Sequence, residues 1–285
     1  MKTFLKIVAV FLLAALMGIG LCGAFYHQSV WIFSTLRQAQ KHEPLALALA
    51  PTFDATQTQT MAEWLEDERV TFDQTLILVN LDNPLPEGYQ ADIVEYNGAQ
   101  MHPSMVENYI ALRDTVQKKT GIRIYVSSDF RTAEEQAEIV ASSQQGIAAP
   151  VGCSEHEAGL ALDVYAPRCA SYEFLRSPAG REVNRICHQY GFIIRYEVDK
   201  TDITGIHYEP WHLRYVGAPH AELIANSGLA YEEYIEAITP EVWYSYENYL
   251  ILRTSNLEEI TLPASFASCH ISPDNTGYYV VTVEL

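Results

Sequence analysis

An α+β fold is predicted for this chain by three observations. Helix start signals come first along the body, short strand-like runs follow and gather around two polar motifs, and no glycine-rich nucleotide loop marks a doubly wound sheet. A charge-free run at the N-terminus and a Tyr-rich, β-branched stretch at the C-terminus lie outside that body.

The elements are justified in order. Ile7 to Phe25 carries no charge and follows Lys2 and Lys6; as a helix it rises roughly 28 Å, close to a hydrocarbon core. The length of the run favours an uncleaved anchor, and the lysines before it and the acidic body after it favour the N-terminus inside and the body outside. The alternative is a cleaved signal peptide and a secreted body, with Cys22-Gly23-Ala24 a marginal cut site. Residues 37–62 are rich in Gln, Thr, Ala and Pro and suit a spacer. Thr75 to Val79 reads as a buried strand ended by Asn83-Pro84.

Ser104 and Glu107 form a capping-box pattern that opens a helix with Met105, Tyr109, Leu112 and Val116 on one face, stopped by Gly121. Ile122 to Ser127 alternates as a strand does, and Thr132 with Glu135 opens a second helix to about Ser142. Leu160 to Tyr165 is a short apolar strand holding one acid, Asp163. Pro178 to Tyr190 is helical, Phe192 to Tyr196 and Trp211 to Val216 are strands, and Ala221 to Ala225 and Tyr231 to Ile238 are short helices. The division that results is 1–36 for the anchor and its flank, 37–70 for the spacer, 71–239 for the main domain and 240–285 for a small β-rich extension. That extension could bind a polymer or a partner, or cover a sheet edge, which is the favoured reading.

Composition bounds function. The 285 residues are 48% hydrophobic and 19% charged, a globular balance, and the net charge of −18 repels phosphate backbones, so nucleic-acid binding is excluded as a leading reading. Cysteines at 22, 153, 169, 187 and 269 include no C-x-x-C pair, which removes zinc-ribbon and thioredoxin motifs. In an external body the last four could form up to two disulfides.

Polar residues concentrate in two segments, Ser154 to Asp163 and His207 to Gly217. Asp163 sits among Leu160, Ala161, Leu162, Val164 and Tyr165, where an unpaired carboxylate is very costly. A metal ion or a buried arginine, Arg195 or Arg214, would satisfy it. Gly159 permits a tight turn that lets His156 approach Asp163, and His212 could add a third ligand from a facing strand. Two imidazoles and one carboxylate leave a coordination position free, the arrangement of catalytic zinc, although non-haem iron accepts the same set. Glu209, three residues before His212, is placed to take a proton from water. Glu155 and Glu157 read as solvated, and position 160 is Leu, so H-E-x-x-H is absent. Arg131, just before a helix N-terminus, could receive a carboxylate or a developing oxyanion, or form a surface ion pair with Glu134 or Glu135.

With these residues in place the chain resembles the VanY-type D-alanyl-D-alanine carboxypeptidases, zinc peptidases with S-x-H-x-x-G-x-A-x-D and E-x-W-H motifs. Here the motifs are Ser154, His156, Gly159, Ala161, Asp163 and Glu209, Trp211, His212. The resemblance runs from about Leu78 to about Tyr234 and departs from the family at Ser128-Asp129-Phe130-Arg131, where relatives read close to Ser-Gly-Tyr-Arg. It implies a compact domain with a small antiparallel sheet flanked by helices. Zinc would be held by His156, Asp163 and His212, with Glu209 as the base and Arg131 binding or polarising the substrate. Ser154, Gln136 and Trp211 are expected against the peptide. The function implied is removal of the terminal D-Ala from peptidoglycan stem peptides. An L,D-carboxypeptidase or a D,D-dipeptidase shares the chemistry, and a non-catalytic wall-peptide module is the alternative from another class.

Overall fold

The computed structural model describes residues 42–52, 55–142 and 148–285. The N-terminal apolar run expected as an anchor lies outside the described residues, and among those described no helix is long and apolar enough to cross a membrane. The chain separates into two compact units, 1–43 and 44–285, and the following concerns the second.

Short elements come first: β1 (Ala48–Leu49), β2 (Thr56–Gln59), α1 (Met61–Trp64) and β3 (Val70–Phe72). The hairpin β4 (Val94–Tyr96) and β5 (Ala99–Met101) leads into α2 (Pro103–Thr120). There follow β6 (Tyr125–Ser128), α3 (Ala133–Ser142), β7 (Ala161–Tyr165), α4 (Pro178–Ile186), β8 (Phe192–Ile194), α5 (Thr201–Thr204) and β9 (His212–Tyr215). The helices α6 (His220–Ser227) and α7 (Tyr231–Ala237) precede the strands β10 (Trp243–Tyr246), β11 (Tyr249–Thr254), β12 (Ile260–Pro263), β13 (Ser268–Pro273) and β14 (Tyr279–Glu284).

The sheet that carries the polar motifs is antiparallel, in the order β6-β7-β9-β8. Alternation along β7 sends Leu162 and Val164 to one face and Asp163 to the other. The apolar face packs on Met105, Tyr109, Leu112 and Val116 of α2 and on Val183 and Ile186 of α4, forming the main core. The expected α+β architecture is therefore present, with helices covering one face of a small sheet.

Several local expectations are corrected. The helix α2 begins two residues earlier than its capping box implies, because His102 caps it through Nδ1 and Pro103 supplies the first turn. Thr75 to Val79 is buried but is not a strand: Arg214 Nη2 donates to the carbonyls of Thr75 and Ile77, and the Leu76 N–H donates to Ser272 Oγ. Side chains satisfy that backbone, so no ladder is needed. The helix expected to Tyr190 is α-helical to Ile186 and tightens to a 3₁₀ turn over Cys187–Tyr190. Cys153, Cys169, Cys187 and Cys269 are all free, so the disulfides entertained above do not form.

The stretch read as a spacer is built into the body. β1 pairs with β10, β2 with β12, and β3 runs parallel to β13, so the C-terminal strands assemble as β1-β10-β11-β14-β13-β3. This sheet is not a loose appendage: Ile251 and Val280 share a core with Tyr231, Tyr234 and Ile235.

Candidate metal centre

The site grows from the polar face of the four-stranded sheet. Antiparallel pairing sets Asp163 directly opposite His212, and cross-strand partners share a face. The Asp163 Oδ1 to His212 Nδ1 distance is 3.0 Å. His156 arrives from the loop before β7, which turns back at Gly159 with φ +71°, a left-handed conformation that favours glycine. An added Cβ there would stand 2.3 Å from Ile93 Cδ1, a further reason for glycine.

The ring positions are fixed from behind. His156 Nδ1 is 2.7 Å from the Asp129 carbonyl, which can only accept, so Nδ1 carries the proton and Nε2 presents a lone pair. His156 Nε2 is buried and forms no hydrogen bond, standing 3.5 Å from Asp163 Oδ2. His212 Nε2 faces Glu155 Oε2 at 3.3 Å, which directs His212 Nδ1 inward. His156, Asp163 and His212 each offer one atom to a common point, all within 4.8 Å of one another. Donors about 2.0–2.2 Å from a tetrahedral ion stand roughly 3.4 Å apart, so the 3.0 and 3.5 Å separations already suit one. An orphaned buried nitrogen and an N, N, O donor set fit zinc with a position left over for water.

Titration behaviour follows from the surroundings. Burial lowers the pKa of His156 and keeps its ring neutral, as a ligand requires. Burial alone would raise Asp163, yet the adjoining His156 and His212 hold it well below the usual carboxylate range. Burial likewise opposes charge on His212, but Asp163 and Glu155 lift it to about 9 when no cation competes. Glu209 is raised by burial, only partly offset by His212, and its Oε2 lies 3.8 Å from His212 Nδ1. A carboxylate poised upward beside the donor set is suited to exchanging a proton.

Arg131 comes from the turn before α3. Its Nη1 donates to Gln136 Oε1 at 2.6 Å, its Nε donates to Ser128 Oγ at 3.3 Å, and its Nη2 lies 4.0 Å from Asp163 Oδ2. The surface pairing with Glu134 or Glu135 does not occur; Glu135 instead completes the Thr132 capping box. Gln136 is buried and also donates to the Ala149 carbonyl at 2.6 Å, so it anchors the arginine to the next loop. Ser154 is buried two residues before His156. Trp211 does not join this group: it packs on the main core, edge-on to Tyr172 at 4.9 Å.

Glu155 and Glu157, expected in solvent, are buried. Glu157 accepts from the Gly152 N–H at 2.9 Å and closes the loop. Glu155 accepts from Arg195 Nε at 2.7 Å and Arg214 Nη1 at 3.1 Å, and Arg195 reaches on to Glu232. Arg195 and Arg214, offered above as alternative partners of Asp163, pair with Glu155 instead. Their neighbour in space is Glu155, which converts their charge into an orienting contact on His212.

The comparisons agree with this geometry. The family model described as VanY, D-alanyl-D-alanine carboxypeptidase, matches residues 98–218. A D-alanyl-D-alanine carboxypeptidase of Enterococcus faecium is 30% identical over 253 residues, covering 80% of this chain and 80% of the relative. A bifunctional D-Ala-D-Ala dipeptidase and carboxypeptidase of Enterococcus gallinarum is 32% identical over 185 residues, 59% of this chain and 97% of its own length. Among solved structures, a vancomycin-resistance D,D-pentapeptidase VanY in complex with Zn(II) aligns with TM-score 0.51 and 33% identity, covering 57% of this chain and 99% of that one. Both motifs converge on one donor set and the Enterococcus faecium relative is matched over most of its length, so this chain belongs to the VanY D-alanyl-D-alanine carboxypeptidase family.

Proposed function

We propose that the protein is a zinc-dependent carboxypeptidase that removes the C-terminal D-Ala from peptidoglycan stem peptides. The observation that carries this reading is the convergence of His156 Nε2, Asp163 and His212 Nδ1 with the raised carboxyl of Glu209 beside them. Family membership supports it, as does a VanY relative solved with D-Alanine-D-Alanine at 33% identity and TM-score 0.51.

Zinc, when bound by His156, Asp163 and His212, supplies Lewis-acid polarisation and lowers the pKa of water. The rest falls to the chain's own groups. Glu209 accepts a proton from the attacking water as oxygen adds to the scissile carbonyl carbon, and the same carboxyl returns it to the amine as the C–N bond breaks. The products are a shortened peptide carboxylate and free D-Ala. Arg131, steadied by Gln136 and Ser128, offers Nη2 to the negative charge of the substrate. Glu155 and the Asp129 carbonyl hold the two imidazoles in the tautomers that this arrangement needs.

The charge-free run Ile7 to Phe25 and the preceding lysines support an anchored protein with its catalytic body outside the cell. Recovery of the full chain in washed membranes is the expected result; recovery in the culture medium would assign the run to a cleaved signal.

The experiment for the activity is mass spectrometry of penta-, tetra- and dipeptide substrates incubated with the purified chain, with zinc or with chelator. Zinc-dependent loss of one D-Ala from the pentapeptide is expected. Cleavage confined to the tetrapeptide or to free D-Ala-D-Ala reassigns the enzyme to L,D-carboxypeptidase or D,D-dipeptidase activity, and no cleavage overturns the reading.

A further inference from the structure

A carboxypeptidase needs a closed end for the terminus of its substrate and an open path for the rest. The polar face of the sheet supplies such a path. Tyr165 lies two residues beyond Asp163 on β7, on the same face and roughly 7 Å along the strand. Its register partner Tyr125 stacks on it, ring centroids 5.6 Å apart. The two rings make an aromatic shelf that continues directly from the donor set.

Among the described residues no strand pairs with β6 on its outer side, so this shelf ends at an open sheet edge. A cavity of about 270 Å³ runs along that edge, bordered by Asp129 at the catalytic end and by Tyr96, Arg113, Arg123, Tyr125 and Tyr165 farther out. Complete small-molecule sites span roughly 300–1,000 Å³, so this space suits one portion of a longer ligand.

The charges in it are unequal. Arg113 is already engaged, donating to Asp114 Oδ1 and to the Tyr96 hydroxyl. Asp129 accepts from the Gln100 N–H at 2.6 Å. Arg123, half-buried, makes no hydrogen bond or ion pair among the described residues, in a chain whose net charge is −18. A partly buried guanidinium left without an anion is a receptor for one.

We propose that this cavity is a subsite for the part of the peptide upstream of the scissile bond, with Arg123 pairing to a carboxylate carried there. The inference rests on the peptidase reading above. In wall peptides the γ-linked second residue leaves its α-carboxylate free, two to three residues from the cut, or about 7–11 Å of extended chain. Arg123 stands two residues before β6 and five before Ser128, the partner of Asp163, at most roughly 16 Å of extended chain, and its own side chain spans the difference. The substrate lies against the open edge of β6 as an added strand does.

The test uses two pentapeptides that differ only in a free or amidated α-carboxyl at the second residue. For the full chain with zinc, kcat/KM is expected to favour the free acid about tenfold, the ratio to fall to about one in Arg123→Gln, and Arg123→Lys to lie between. Equal rates in the unaltered chain, or a preference that survives Arg123→Gln, overturn the subsite. Should neither peptide release D-Ala, the peptidase reading fails. The subsite is then judged by calorimetric titration of both peptides onto the zinc-loaded Glu209→Gln chain, with and without Arg123→Gln. An Arg123-dependent preference for the acid supports it, and equal affinities refute it.

Discussion

Glu155 Oε2 lies 3.3 Å from His212 Nε2, while its Oε1 is clamped by Arg195 and Arg214, and all four side chains are buried. One carboxylate thus neutralises two interior guanidinium groups and orients a metal ligand. The predicted consequence of Glu155→Gln is twofold. Zinc affinity falls about 10- to 100-fold, because the single amide oxygen of glutamine cannot serve both the arginines and the ring whose Nδ1 it directs inward. Stability falls by roughly 3–5 kcal/mol, since the arginines lose their shared charge. Chelator competition reads the first and urea denaturation the second.

Glu209 touches the donor set without being part of it, its Oε2 standing 3.8 Å from His212 Nδ1. Glu209→Gln is expected to bind zinc as the unaltered chain does and to lose roughly a hundred- to ten-thousandfold in kcat. Metal content and D-Ala release from one preparation measure both, and turnover within a few-fold of the unaltered chain would remove Glu209 from the proton-transfer role.

How much of this was readable in the sequence depends on the range of the interaction. His156, Gly159, Asp163, Glu209 and His212 announce themselves by local spacing, and the structure brings the three donors together. Glu155 did not, because an acid beside a histidine reads as surface until the chain places Arg195 and Arg214 behind it. Thr75 to Val79 was legible as buried but not as irregular, since the donors that release its backbone from a sheet come from Arg214, more than a hundred residues away. The parallel pairing of β3 with β13 is equally non-local, and no periodicity within either strand signals it.

His220 joins α6 to α7 through Tyr234 Oη at 2.7 Å and to the C-terminal sheet through Thr282 Oγ1 at 2.8 Å. Burial pushes its pKa down from 6.5 to about 3. The unfolded chain therefore takes up this proton first as pH falls, so the stability it contributes is complete above about 6.5 and is lost progressively toward 3. Between pH 7 and pH 5 the loss is roughly 2 kcal/mol. His220→Gln, which keeps a donor and an acceptor but does not titrate, is expected to make the fall in unfolding free energy over that range, read by urea denaturation, shallower by the same amount. An identical pH slope in both proteins would contradict it.

His156, Asp163 and His212 are expected to share one cation, and equilibrium zinc titration of the full chain beside Asp163→Ala tests this most directly. The prediction is one tightly bound zinc per chain, abolished by that substitution while α-helical content is retained. Stoichiometric binding that persists in Asp163→Ala would place the metal elsewhere and contradict the account.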